Sequence, residues 1–277
     1  MKFLWLIIAL IIPFLSHGQM LFSGEIARNT HWSGNILLEG DVIVKKGVTL
    51  TIAPGSRIRI SANRDKTNSG KDPERIEIIV IGNLFANGKS NDGQITFTSS
   101  AEAPKIKDWY GIVFKNRVES SMLNNCIIEY GYKGITCYGS SPELVNCEIR
   151  FNFYGGISAE VRSHPLIKSC ILRGNEFAGL ICELASNPIV EKTLITQNEY
   201  GVLIFDRSQP QLGSVNKKKP GSAGANRIFN NFNLNIYNRS SEQIFAQNNI
   251  WNVDNNGEIV NKILDKTDEP AYGEVVF

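Results

Sequence analysis

Histidine and methionine are scarce, three of each in 277 residues. Beyond the first eighteen positions only His31 and His164 remain, far apart in sequence, so a histidine-built metal centre is not expected. Charge of one sign is missing too: 29 lysines and arginines face 27 acids, a formal +2. A chain so near neutrality offers no electrostatic case for nucleic acid or anionic membrane. Clustered carboxylates are rare. Asp265, Asp268 and Glu269 form the only dense group and read as a solvated tail, which argues against calcium. No cofactor is expected. Nor does a Gly/Ser or Pro-rich linker cut the chain into parts.

Long apolar runs are absent except at the start. Met1-Lys2, then Phe3 to Leu15, then the small-residue end Ser16-His17-Gly18 read as a secretory signal peptide spanning residues 1–18. The run is broken by Pro13 and too short to cross a bilayer. The expectation is an exported chain with no membrane span, ending in the periplasm, on the cell surface or outside. Residues 19–277 read as one elongated domain.

What the sequence does have is a period. Pro142, Pro165, Pro188 and Pro210 recur at 23, 23 and 22 residues, and Gly111, Gly134, Gly156, Gly179 and Gly201 at 23, 22, 23 and 22. A fixed spacing in this range is the mark of stacked repeats. Each unit reads as three short strands joined by turns, with apolar residues alternating at period 2. A unit this small cannot bury its apolar side alone, so stacking must supply the core.

Counting from each glycine exposes the columns. One place on come Ile112, Ile135, Ile157, Leu180 and Val202; three places on come Phe114, Cys137, Ala159, Cys182 and Ile204. Further inward columns hold Cys126, Cys147, Cys170, Thr193 and Ile128, Ile149, Leu172, Ile195, and Leu144, Ile167, Val190 and Leu212 follow the prolines. Asn152, Asn175 and Asn198 predict a ladder of stacked amides in one turn. Beside it Tyr132, Tyr154, Phe177 and Tyr200 are either a corner packed by rings or a platform on which sugar rings stack.

These units resemble right-handed parallel β-helix repeats, the pectate-lyase-like architecture of many secreted bacterial polysaccharide enzymes and surface proteins. The resemblance covers about residues 34 to 252. It implies an all-β, single-stranded right-handed parallel solenoid with an N-terminal cap and a short C-terminal capping helix. Its regular coils run over about 111–212 and its cap over about 249–277. Residues 29 to 60 look like the first coils, with Trp32 and an early strand covering the top. Residues 61–75 and 214–225 read as inserted loops, the first able to shape a groove. Ile259, Val260, Ile263 and Leu264 are spaced for one amphipathic helix. Many relatives carry glycine after the late tryptophan, where this chain has Asn252.

Five cysteines in an exported chain raise the question of disulfides. All five fall in inward columns with parallel side chains, so buried free thiols are expected. Outward columns carry little catalytic chemistry. Four places after the glycines stand Lys115, Tyr138, Glu160, Glu183 and Phe205; six places after stand Arg117, Ser140, Arg162, Ala185 and Arg207. Glu160 and Glu183 on adjacent coils are the one candidate catalytic pair, with one pKa raised by the other. Tyr138, Arg162 and Arg207 are candidate binding residues. The paired-aspartate and Gly-His-Gly motifs that the resemblance associates with glycan cleavage are missing. Glu129, Arg150 and Arg173 look like a surface charge ladder of little value. Ile181, Leu203 and Phe205 face outward and need a cover, expected from residues 214–225 or the tail after 252, or from a partner or ligand.

The function expected is therefore a monomeric, non-catalytic scaffold or binding module for a polysaccharide or cell-envelope component. The alternative is a polysaccharide lyase or glycoside hydrolase working along the middle coils. A subunit for assembly or metal delivery is a third possibility, weakened by the shortage of histidine and methionine.

Overall fold

The computed structural model describes residues 19–115, 120–215, 221–253 and 255–277. Residues 1–18, expected to be a signal peptide, Arg117 and the Lys217-Lys218-Lys219-Pro220 run lie outside the described residues. The rest climbs one axis as parallel coils with three strand ladders. One ladder starts at Arg57–Ile60 and runs through Ile95–Ser99, Cys126–Glu129, Glu148–Arg150, Ile171–Arg173 and Leu194–Thr196. A second starts at Glu77–Val80 and runs through Gly111–Phe114, Lys133–Tyr138, Gly155–Glu160, Ala178–Cys182 and Tyr200–Ile204. A third carries Thr30–Trp32, Thr49–Ile52, Asn83–Asn87, Met122–Asn124, Glu143–Val145, Leu166–Lys168 and Ile189–Glu191. The long strand Asn35–Val44 feeds both of the first two ladders.

The registers put like residues on like. Ile112, Ile135, Ile157, Leu180 and Val202 pair in sequence from coil to coil, and all are fully buried. Each such side chain taken from water contributes roughly 1.5–3 kcal/mol before conformational entropy is set against it. The glycine period also has a physical cause. A Cβ on Gly156 would sit 2.8 Å from the Gly179 carbonyl oxygen, and one on Gly179 would sit 2.9 Å from that of Gly201. The next coil comes too close for any side chain there.

The corners carry polar ladders. Asn152 Nδ2 donates to Asn175 Oδ1 at 3.0 Å, Asn175 to Asn198 at 3.0 Å, and Asn198 to Asn231 at 3.1 Å, all buried. At another corner the backbone N–H groups of Ser163 and Ser186 each donate to the serine hydroxyl one coil on. The third corner explains the cysteine column. Cys126, Cys147 and Cys170 follow residues of left-handed backbone, Asn125, Asn146 and Ser169. Each thiol donates to a carbonyl of the preceding coil: Ala86, Leu123 and Leu144 at 3.4, 3.3 and 3.3 Å. Thr193 makes the same contact to Ile167, so its hydroxyl takes the place of a thiol. All five cysteines are free and buried.

Both ends differ from the sequence reading. The stack begins with Met20–Ile26, paired with Asn35–Val44, and not at residue 29. That strand lies on the open top, half-buried on one side only, so it shows no column pattern; Phe22 meets Trp32 edge-on at 5.3 Å. At the other end the helix covers only Asn256–Val260, and Asn255 accepts from the Glu258 N–H to cap it. Ile263–Leu264 is a strand, pairing with Ile236 and Tyr237. The free edge of Leu234–Asn238 offers backbone partners, and these override the helical spacing of the apolar residues.

Candidate binding groove

The loop 61–75 is built on buried carboxylates and leans over the second ladder. Asp41, fully buried, accepts from the N–H groups of Ser69 and Gly70 at 2.7 and 2.6 Å and of Glu77 at 2.7 Å. Asp65 accepts from the Asp41 and Thr67 N–H groups at 3.1 and 2.9 Å. Glu77 Oε1 accepts from Lys71 and Asp72 N–H at 2.6 and 2.9 Å. Burial pushes the Asp41 carboxyl up to about 6, and the neighbouring Asp65 adds to the rise. Burial acts to raise Asp65 as well, but the Thr67 amide and hydroxyl hold it below the ordinary carboxylate value. The sequence reading treated this segment as a polar insertion and missed its anchors, because Asp41 and Glu77 lie outside it and 36 residues apart.

Between this loop and the sheet runs a groove of about 390 Å³, lined among others by Lys71, Glu77, Tyr110, Lys133, Tyr138 and Glu160. A second hollow of about 530 Å³ shares Lys71, Tyr110 and Lys133 with it and continues to Arg75, Tyr132 and Tyr154. Lys133 Nζ meets Glu160 at 2.7 Å and lies 4.9 Å above the centre of the Tyr154 ring. Asp72 and Arg75 pair at 2.8 Å, and Arg75 stands 5.9 Å over Tyr132. Burial, with Glu77 and Glu160 nearby, raises the Tyr110 hydroxyl well above the ordinary phenol range. The groove thus holds aromatic faces beside paired charges.

Of the sequence candidates, Tyr138 lies in this groove with 49 % of its surface exposed, and Glu160 lines it. Glu183 follows one coil on, on the end of the ladder beyond Cys182, where burial and then the Glu160 charge raise its pKa. Arg162 and Arg207 are not brought to the groove. They occupy exposed turns past the strand ends, at φ 55° and 56°. Glu77, Tyr110, Lys133 and Thr136 are lining residues the sequence reading did not name as site residues. Among the described residues no group of three or more His, Cys, Asp or Glu side chains is placed to hold a metal ion.

The ring column is longer than its repeat pattern. It runs Tyr110–Tyr132–Tyr154–Phe177 with centroids 5.6, 6.2 and 5.4 Å apart, then through Tyr200 and Tyr237 to Tyr272. Here lies the cover for the outward apolar patch. Ile181 and Leu203, 0 % and 2 % exposed, pack with Ala178 under Tyr154, Phe177, Tyr200, Phe205 and Tyr237. The rings of the same face shield them; of the tail, Tyr272 meets the end of the ring column at Tyr237. The charge ladder is also more enclosed than expected: Arg150 bridges Glu129 at 2.7 Å and Glu148 at 3.0 Å, and Glu129 is buried and accepts from Thr98.

A family model described as the right handed beta helix region matches residues 83–250, more than half of the chain. The chain belongs to this family. No curated protein and no solved structure matches the chain significantly. The matched region of the right-handed β-helix includes Tyr110, Lys133, Tyr138 and Glu160, whereas loop 61–75 and Glu77 precede it. The groove therefore combines residues of the matched repeats with a loop that precedes them. An arrangement of phenol rings, paired charges and hydroxyls can hold a polyhydroxylated ring through stacking and hydrogen bonds.

Proposed function

We propose that this right-handed β-helix is an exported, monomeric binding module whose groove beneath loop 61–75 takes a segment of polysaccharide or of a cell-envelope glycan. The observation that carries the reading is Tyr138, half-exposed in a groove where Tyr110, Lys133 and Glu160 also converge. An exposed aromatic face between fixed polar groups is what a sugar ring needs: its C–H face on the ring, its hydroxyls on the rim. Export is supported by the basic start and apolar run of residues 1–15. Calorimetry of the purified chain against neutral and acidic polysaccharides, alongside reducing-sugar and ultraviolet assays of the same mixtures, tests it. Binding without new reducing ends or unsaturated products is the expected result, and Tyr138→Ala should abolish it. Failure of every glycan to bind refutes it.

A second reading, glycan cleavage, is favoured by one observation: burial and Glu160 raise Glu183, as a proton donor requires, while Lys133 sits on Glu160. Product release that survives conversion of both glutamates to glutamine would dismiss those two residues.

A further inference from the structure

Among the described residues five enclosed side-chain atoms have no hydrogen-bond partner, and three of them share one face: Glu77 Oε2, Thr136 Oγ1 and Ser158 Oγ. Glu77 and Thr136 line the groove, and Ser158 pairs with Thr136 on the next coil. The column containing the two hydroxyls is otherwise apolar. It reads Ile79, Val113, Thr136, Ser158, Ile181 and Leu203 through successive registers. Valine or alanine would fill these two positions equally well for packing, and an enclosed hydroxyl without a partner carries a desolvation cost. The ladders of buried asparagines and serines described above are hydrogen-bonded coil to coil. The hydroxyls at 136 and 158 stand apart from that rule.

Glu77 is equally lopsided. Its Oε1 takes two loop N–H groups, while Oε2 takes none. A carboxylate oxygen accepts only, so whatever completes it must be a donor. We infer that Glu77 Oε2 and Thr136 Oγ1 in the groove, with Ser158 Oγ on the next coil, form a line of polar contacts for the hydroxyls of an uncharged saccharide segment. A uronate or sulfate group is rejected there, because its oxygens would face the Glu77 carboxylate. Lys71, Lys115 and Tyr138, which line the same groove, are exposed. This assignment rests on the glycan-binding reading and narrows its ligand class.

The test measures stability and affinity on the same variants, Thr136→Val and, independently, Ser158→Ala. In the free protein neither change removes a protein hydrogen bond, so Tm is expected to stay level or rise. Affinity for neutral oligosaccharides is expected to fall about tenfold in each, the scale of one lost hydrogen bond between ligand and a buried site. Oligouronates serve as the control and should bind the wild type more weakly than neutral chains. Undiminished neutral-sugar binding by both variants, loss of folding stability in Ser158→Ala, or a wild type that prefers uronates overturns this inference while leaving glycan binding intact. A wild type that binds no saccharide of either kind overturns both.

Discussion

Replacing Asn175 by alanine removes the middle rung of the buried amide ladder, and the structure sets the size of the loss. Its Nδ2 donates to Asn198 Oδ1 at 3.0 Å and to the Ile149 carbonyl at 3.2 Å; its Oδ1 accepts from Asn152 Nδ2 at 3.0 Å and from the Asn152 N–H at 3.2 Å. Asn152 Nδ2 keeps the Arg150 carbonyl, and Asn198 Oδ1 keeps the Asn175 N–H at 3.0 Å. The Asn152 N–H keeps nothing comparable. One orphaned buried donor costs about 1–3 kcal/mol and each of the three further lost bonds about 0.5–1.5 kcal/mol, so Asn175→Ala should destabilise by about 2.5–7.5 kcal/mol. A matched control is built in. Asn124 donates to Asn87 at 2.8 Å and accepts from Asn146 at 3.1 Å in a similar coil-to-coil ladder that is open to solvent. Water replaces those bonds, and Asn124→Ala should cost less than about 1 kcal/mol. Urea unfolding of both variants, with hydrogen exchange at the Asn152 amide, decides the matter. Equal losses for the two substitutions would refute the argument that enclosure, and not the count of bonds, gives the ladder its weight.

The remaining predictions address the loop, the thiols and the glycine column. Asp41 holds its proton more tightly in the folded state than in the unfolded chain, so its contribution to stability is full at low pH and lost as pH rises through about 6. Asp65 and Asp72, both held low, act in the opposite sense and only nearer pH 4 and below. Chemical unfolding followed from pH 4.5 to 7 should therefore show a falling stability that flattens in Asp41→Asn, whatever that variant's overall stability; a wild-type curve that rises throughout the window contradicts the assignment. Burial raises the thiols of Cys137, Cys147, Cys170 and Cys182, so a maleimide reagent should modify none of the five cysteines in the folded protein and all five in denaturant. Non-reducing intact-mass analysis should show no loss of protons. Gly179→Ala presses a methyl on the Gly201 carbonyl and on the Ile195 side chain, and should lower Tm by several degrees where an exposed Ala substitution at Gly257 does not.

The repeat was legible in the sequence because a solenoid writes its contacts at a constant offset. Ile135 predicts Ile157, and Asn152 predicts Asn175, since each position's neighbour is one coil away. Where the offset changes, the pattern is silent. Asn198 finds Asn231 across 33 residues because the second loop intervenes, and the period cannot show that. The same reason hides the loop side of the groove. Glu77 meets the Asp41 carboxylate across 36 residues and the loop amides across 5 and 6, none of them a repeat distance. Arg162 and Arg207 lie away from the groove for a different reason. Counting along a strand assigns an outward side chain correctly only while the strand lasts, and both fall beyond its end on left-handed turns. The short run Ile259 to Leu264 misled because four apolar residues fit either a helix face or a helix followed by an edge strand.

The distribution of polar groups argues for where function sits. Stacked coils make every inward position and most corners answerable to the coil above and below, so a residue there is explained by its neighbours: thiols by carbonyls, amides by amides, rings by rings. The outward column from Ile79 to Leu203 answers to packing, and four of its six members are apolar accordingly. Thr136 and Ser158 break that rule at the same height at which the loop 61–75 reaches over the sheet and Tyr138 turns a ring to solvent. Independent departures from the repeat, an insertion held by fully buried Asp41 and Glu77, two hydroxyls without partners and one exposed ring, lie along one face of the ladder between Glu77–Val80 and Gly155–Glu160. Structural upkeep accounts for none of them singly. The proposed ligand, laid along that face, would account for all of them together.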